Sequence, residues 1–239
     1  MAKEILRCND SPKLKEISKL IEGFNYKFDR YQILTDIFEM AAIGLSNQVD
    51  YRPKEWASRE ERYKQLMQRY NPEDRQVLLK IFGKLFDLLT GMEENGFDDY
   101  LGKLYMMSGT SNDKTGQFFT PFSVSQLCAN LSLSKEKVEE HIENGEIITI
   151  NEPSCGSGGL LIAELDVFLH KYDFNCATNV LIDCGDLDKR CVHMCYLQLS
   201  LAGVPAVVRH MNTLTLEQFD EWHTPALIMQ WPRFKNYLT

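Results

Sequence analysis

Residues 151–161 read NEPSCGSGGLL: an acidic residue and a proline lead into three glycines within four positions, after which apolar residues resume. Gly156, Gly158 and Gly159 lack a Cβ, so the main chain can turn tightly and a ligand can come close to it. The run EIITIN at 146–151 has the β-branched texture of a buried strand, and a helix candidate at 159–171 follows at once. The free N–H groups at the start of that helix would face polar ligand atoms. The next strand candidate ends in LIDCGDLD, which puts Asp186 and Asp188 beside the same crevice. An acidic residue after the second strand of such a unit commonly holds ribose hydroxyls. The two features together imply a nucleoside-bearing cofactor. The spacing is not G-x-G-x-x-G, and no Lys followed by Ser or Thr completes a P-loop. A glycine-rich strand-to-helix turn with no ligand is the bland alternative.

Such residues need a sheet to position them. From about residue 115, short β-branched runs alternate with helical stretches. Strand candidates fall at 146–151, 179–184, 206–210 and 226–229, with helix candidates at 159–171 and 189–202 between them. The second helix follows Asp188 and stops at Gly203, with Pro205 beyond. Repetition at this spacing predicts a parallel sheet, with ligands outside the carboxyl ends of its strands. The first 110 residues read instead as helices, among them SPKLKEISKLIEGF, RYQILTDIFEMAAIGL, PKEWASREERYKQLMQRY and NPEDRQVLLKIFGKLFDLLTGM. The expected layout is a helical part, 1–110, followed by an α/β part, 111–239. Charges of both signs from Arg52 to Arg75 fit a solvated helix face better than a DNA-binding stripe.

The 239 residues, 44% hydrophobic and 25% charged, have the balance of a globular protein. No apolar run approaches the roughly 20 residues that span a bilayer. The polar start MAKEILRCNDSPK lacks a signal-peptide core, so a cytoplasmic protein is expected. Seven cysteines without a CxxC pair, and five scattered histidines, lead to the expectation of reduced thiols and no metal site. The net charge of −8 argues against a free-standing DNA clamp. Nucleic acid would have to be met through a local patch or a partner.

NEPSCGSGGLL also resembles the S-adenosylmethionine motif of the N-6 adenine DNA methylase family, the kind found in type I restriction-modification subunits. That motif runs roughly Asp-Pro-Ala-Cys-Gly-Thr-Gly-Gly-Phe-Leu, and Glu152, Pro153, Ser154, Cys155, Gly156, Ser157, Gly158, Gly159, Leu160 and Leu161 follow it position by position. Upstream, TGQFFTP (115–121) is similar to a family segment that lies over the cofactor's methionine end, and DDYLGKLYM (98–106) to an Asp-x-Leu-Gly-x-x-Tyr helix. Downstream, CGDLDKRCVHMCYLQLSLAG (184–203) resembles the acidic loop and its following helix, and MNTLT (211–215) stands where the family often has Asp-Thr-Leu. The resemblance covers 98–215, in family order. It implies a Rossmann-like methyltransferase sheet, incomplete at about four to five strands, and S-adenosylmethionine as cofactor. Phe119, Thr120, Pro121, Glu152, Ser154, Cys155, Gly156, Ser157, Gly158, Gly159, Asp186, Leu187 and Asn212 would surround that cofactor.

The chain departs from the family at the methyl-accepting end. There an Asn-Pro-Pro-Tyr/Phe segment closes the fourth strand, its Asn accepting from the target amino group and its aromatic stacking on the extruded base. Here ALIM leads to QWPRF, with Trp231 at the Asn position. An indole N–H is a donor only, which leaves Gln230 and Phe234 as the candidate base-contacting residues. The family's sheet normally continues beyond this point, so the fourth strand is expected to be an open edge that recruits a partner. That partner would be a second copy or a methylase- or specificity-type subunit. Two readings result. One is an adenine methyltransferase completed by a partner or a rearranged site. The other is a non-catalytic relative acting as a cofactor sensor or a restriction-interference module.

Overall fold

A computed structural model describes residues 11–24, 27–107 and 119–238. The expected cofactor-covering positions 115–118, and Cys8, lie outside the described residues. The helical part comprises α1 (Pro12–Glu22), α2 (Arg30–Ser46), α3 (Pro53–Met67), α4 (Pro72–Thr90), the single turn α5 (Met92–Asn95) and α6 (Tyr100–Met107). Proline opens α1, α3 and α4, where its missing N–H costs nothing. Asp29 and Asn71 cap α2 and α4 by accepting from the amides of Tyr31 and Asp74. Nearly every residue of α2 from Ile33 to Ile43 is buried, so this helix is the centre of the helical layer.

Helices α7 (Phe122–Ser132) and α8 (Lys135–Asn144) lead into the sheet. Its strands are β1 (Ile148–Glu152), β2 (Val180–Asp186), β3 (Ala206–Asn212) and β4 (Glu217–His223). They pair in the order β1-β2-β3-β4. The first three are parallel, joined by α9 (Gly159–Tyr172), the short α10 (Cys176–Asn179) and α11 (Lys189–Leu201). Strand β4 runs antiparallel to β3, with a bulge between His210 and Met211. Val180, Ile182, Cys184, Val208 and Trp222 join the large core shared with the helices. Leu181 and Val207 instead form a small second cluster with Leu227 and Phe234.

This is an α/β fold with a helical N-terminal layer, as expected, but the fourth strand is not where the sequence pointed. Residues 226–229 form α12 (Pro225–Met229), followed by α13 (Trp231–Phe234) and a 3₁₀ turn at Lys235–Tyr237. Four apolar residues carry no period that separates strand from helix. Pro225 at the first helical position, behind Thr224, decides it. The Thr224 hydroxyl accepts from the Ala206 amide and donates to the Val204 carbonyl, which ends β4 and turns the chain over the sheet. Among the described residues β1 pairs only with β2, so the sheet's edges are β1 and β4 rather than 226–229.

One buried cluster runs from Leu14, Ile37 and Leu85 to Ile162, Ile182 and Trp222, across the expected boundary near residue 110. Ion pairs cross it as well. Buried Glu39 accepts from Arg62 and Lys189. Burial pushes its carboxyl up, but these cations outweigh burial and hold it at about 2. Arg59 lies 3.9 Å over the Trp222 ring, pairs with Asp50 and donates to the Glu221 carbonyl.

Phe234 is fully buried, and truncating such a ring leaves a cavity. Phe234→Ala is expected to lower the unfolding free energy by about 3 kcal/mol, read from urea denaturation. A loss under about 1 kcal/mol would show that α13 is not part of the core.

Candidate functional site

The glycine turn is built by its own hydrogen bonds. The Ser154 amide donates to Glu152 Oε1 at 2.9 Å, and the Cys155 amide to the Gly185 carbonyl of β2 at 2.9 Å. The Gly158 amide then closes on the Cys155 carbonyl at 2.8 Å. Gly156 (φ +54°) and Gly158 (φ +96°) are left-handed, a conformation that costs a side-chain-bearing residue about 1–2 kcal/mol. The close approaches here are mostly to the protein itself. A Cβ on Gly158 would stand 3.2 Å from the Cys195 thiol, and one on Gly159 would stand 3.1 Å from Asp99 Oδ2. Only Gly156 faces the covering segment, 3.4 Å from the Phe119 ring.

Asp99 is the residue beneath the turn. It is buried, and its carboxylate accepts from Ser157 Oγ at 2.5 Å, from Gln198 Nε2 at 2.9 Å and from the Gly102 amide at 2.9 Å. Gln198 also donates to the Ser157 carbonyl at 2.7 Å. Burial raises the Asp99 pKa, and the three donors pull against that rise. Ser157 therefore points into the protein, as does the buried Cys155, so both present only their backbone to the crevice in front of the turn.

Beside the turn, Asp186 at the end of β2 accepts from the Gly156 amide at 2.9 Å and, through its other oxygen, from the Asp188 amide at 2.8 Å. Burial raises its pKa, and those N–H groups oppose the rise. A carboxylate has about four acceptor positions, so the amides of Gly156 and Asp188, with a weaker contribution from Leu187, leave room for a further donor. Asp188 caps α11 and is gripped by Arg190. That guanidinium donates to the Tyr105 hydroxyl at 2.7 Å and lies 4.4 Å over the Tyr31 ring. Tyr105 in turn meets Phe119 edge-on, with centroids 5.5 Å apart. A continuous wall thus runs from Tyr31 through Arg190, Tyr105 and Phe119 to Gly156.

On the opposite rim the β3–β4 turn reaches the loop, with Thr213 Oγ1 donating to the Pro153 carbonyl at 2.5 Å. Asn212 spends its side-chain oxygen on the amides of Leu214 and Thr215, so it shapes this turn. Leu187 is exposed, and its carbonyl lies 3.1 Å from His210 Nε2. Thr120 and Pro121 are exposed at the start of α7.

Gln230 and Phe234 are not brought to this place. Gln230 Nε2 donates to the carbonyls of Ala177 and Ala226, and Arg233 donates to Thr178 and Asn179. These contacts lie ahead of β2, at the end of the sheet opposite the glycine turn, and the Phe234 ring is sealed in the second core. The reason is the helical fold of 225–234, which carries the segment back over the sheet instead of along a fourth parallel strand. Asp99, Gln198, Tyr105 and Arg190 were not singled out from the sequence as site residues. The DDYLGKLYM segment carries Asp99 and Tyr105, and CGDLDKRCVHMCYLQLSLAG carries Arg190 and Gln198, but only as parts of matched segments.

Glu164, on α9, is buried with Oε2 unpartnered; burial, then the charge of Glu152, raises its pKa to about 7. The native state thus holds a proton there that the unfolded chain releases near its ordinary 4.5. Stability conferred by the neutral form is full below about pH 4.5 and is lost as pH rises towards 7. Glu164→Gln should therefore raise the melting temperature near pH 8 and leave it almost unchanged near pH 4.5, by calorimetry across that range. Equal shifts at both pH values would remove the titration as the cause. A methyl on Gly102 would fall 2.1 Å from Asp99 Oδ2, whereas one on Gly83 of α4 meets nothing within 4 Å. Thermal unfolding should show Gly102→Ala losing about 3 kcal/mol and Gly83→Ala gaining up to about 1 kcal/mol.

Residues 97–237, well over half of the chain, match the sequence profile of the family described as N-6 DNA Methylase. No curated protein sequence matches the chain significantly. Among solved structures, the chain is similar to a Listeria monocytogenes protein described as a class I S-adenosylmethionine-dependent methyltransferase, at 15% identity and a TM-score of 0.47. The match covers 84% of this chain and 54% of that one, so the chain spans about half the length of its neighbour. The cofactor of such a family is S-adenosylmethionine, and the residues present fit it: a left-handed Gly156 without a side chain, the start of α9, and an Asp186 carboxylate with unspent acceptor positions. No helix of the described residues is long and apolar enough to cross a membrane. On the matched stretch and the motif order within it, the chain belongs to the N-6 DNA methylase family.

Proposed function

We propose that this chain is the cofactor-holding part of an enzyme that methylates the exocyclic amino group of adenine in DNA, and that residues 230–234 are not its base-binding element. The observation that carries the reading is the Asp186 carboxylate, which ties the Gly156 amide to the end of β2 and keeps acceptor capacity. In this reading Asp186 receives the ribose hydroxyls, and the turn from Glu152 to Gly159 presents backbone groups to the amino-acid end of the cofactor. Phe119, Thr120 and Pro121 cover that end, while Leu187 and Asn212 flank the adenine. When bound, the cofactor supplies an electrophilic methyl group. The chain's own task is to orient the cofactor and keep water from it, with the aromatic wall of Tyr105 and Phe119 excluding solvent.

The methyl acceptor needs a hydrogen-bond acceptor for its amino group and a stacking surface. Gln230 and Phe234 are committed to backbone carbonyls and to core packing. A partner protein supplies those groups in our reading, and also the positive surface that a chain of net charge −8 lacks for DNA. The second reading, a non-catalytic module that retains the cofactor, is favoured by the same commitment of 230–234 elsewhere.

Calorimetric titration with S-adenosylmethionine and S-adenosylhomocysteine should give saturable binding. Asp186→Ala should weaken it about 10- to 100-fold, the worth of one or two charge-assisted hydrogen bonds. Gln230→Ala should bind both ligands as the wild type does. Absence of saturation at millimolar ligand would overturn the cofactor reading. Methylation of unmodified duplex DNA by the chain alone, abolished in Gln230→Ala, would restore 230–234 as the base-binding element.

A further inference from the structure

Cys155, Cys184 and Cys195 are far apart in sequence but meet under the glycine turn. Cys155 lies in the turn itself, Cys184 on β2 and Cys195 on α11. Their sulfur atoms all lie within 4.8 Å of one another, with Cys184 Sγ and Cys195 Sγ 3.8 Å apart. All three side chains are buried, and Cys155 is the least enclosed, at 7% exposed. We infer that the three thiols form a binding site for a soft divalent cation, held by three thiolates behind the turn.

The spacing fits that occupant. Metal–sulfur bonds of about 2.3 Å in a trigonal arrangement place the sulfur atoms about 4 Å apart. The donor set is purely sulfur, which selects soft, thiophilic ions over magnesium or calcium. Binding exchanges three thiol protons, released to water, for one divalent ion, so the filled site carries one negative charge. That charge sits where it is tolerated. Cys195 Sγ lies against Gly158, the residue capping the 14-residue helix α9, whose N-terminal amide dipoles favour an anion. Cys155 also anchors the turn, through its amide on Gly185 and its carbonyl on the Gly158 amide. An ion on its sulfur would therefore pin the turn from behind. The sequence hides this site because its ligands follow no CxxC spacing. The parallel pairing of β1 with β2 and the crossover into α11 bring them together.

The probe is cadmium chloride, titrated into the full-length reduced chain. The expected result is a thiolate-to-metal charge-transfer band that saturates at one ion per chain, with three protons released per ion and a raised melting temperature. Cys184→Ser and Cys195→Ser should each abolish the band and the thermal shift, while Cys128→Ser, on the exposed α7, should leave both intact. X-ray absorption of the unaltered chain with one equivalent of cadmium should show three sulfur ligands, a readout independent of whether any variant folds. Fewer than three sulfurs, no band at one equivalent, or a band lost in Cys128→Ser but kept in Cys195→Ser would overturn the inference.

Discussion

The glycine turn depends on a carboxylate that meets no cation among the described residues. Asp99 is buried and answered only by neutral donors: a serine hydroxyl, a glutamine amide and a backbone N–H. Burial disfavours its charged form, and the three donors oppose that by satisfying the oxygens that face the protein. Those donors come from three places, the turn itself, α11 and α6, so the position of each is set by one atom group. The constraint extends to side-chain size. A methyl on Gly102 would fall 2.1 Å from Asp99, which leaves no room for it, and at Gly159 a methyl would be crowded at 3.1 Å. Two of the chain's motif glycines are thus explained by a neighbouring carboxylate, before any ligand is considered.

The sequence carried the elements that repeat a period and lost those decided by a single contact. Strands at 146–151, 179–184 and 206–210 are legible because short β-branched, apolar runs stand out between helical stretches, and the observed strands fall at 148–152, 180–186 and 206–212. The run at 226–229 is equally apolar, yet Pro225 and the Thr224 hydroxyl turn it into a helix. Strand β4, EQFDEWH, is invisible in the sequence because it is polar and exposed over its first three residues, and it pairs because the turn at 213–216 folds it back on β3. The sequence reading gives glycine as room for a ligand, but at Gly156 the nearest neighbour is the protein's own Phe119 ring. At Gly158 and Gly159 the room is taken by Cys195 and Asp99, residues whose approach depends on tertiary packing.

The helical end of the chain also divides the sheet's two faces by task. One face, with Ile182, Cys184 and Val208, is buried under α9, α11 and the N-terminal helices, which makes it the rigid support for the turn. The other face carries only the small cluster around Phe234, and beyond it lies the polar network of Asp183, Arg209, Gln218 and Glu221. Arg209 donates to both carboxylates, so its charge is spent within the sheet. This face therefore presents no free guanidinium from Arg209 to an incoming anion.

The turn is held from below by Asp99, from the side by Asp186 and from above by Phe119 and Thr213. Each anchor comes from a different element, so no single fraying event releases it. A site fixed in this way spends little binding free energy on ordering itself when a ligand arrives. The anchors differ in one respect that matters for function. Asp99 is buried and has its three donors inside the protein, whereas Asp186 is only partly buried and meets backbone N–H groups alone. Two aspartates on either side of one glycine turn are thereby separated into an enclosed group and a partly open one. The difference between them is set by burial and donor count, which residue type alone does not reveal.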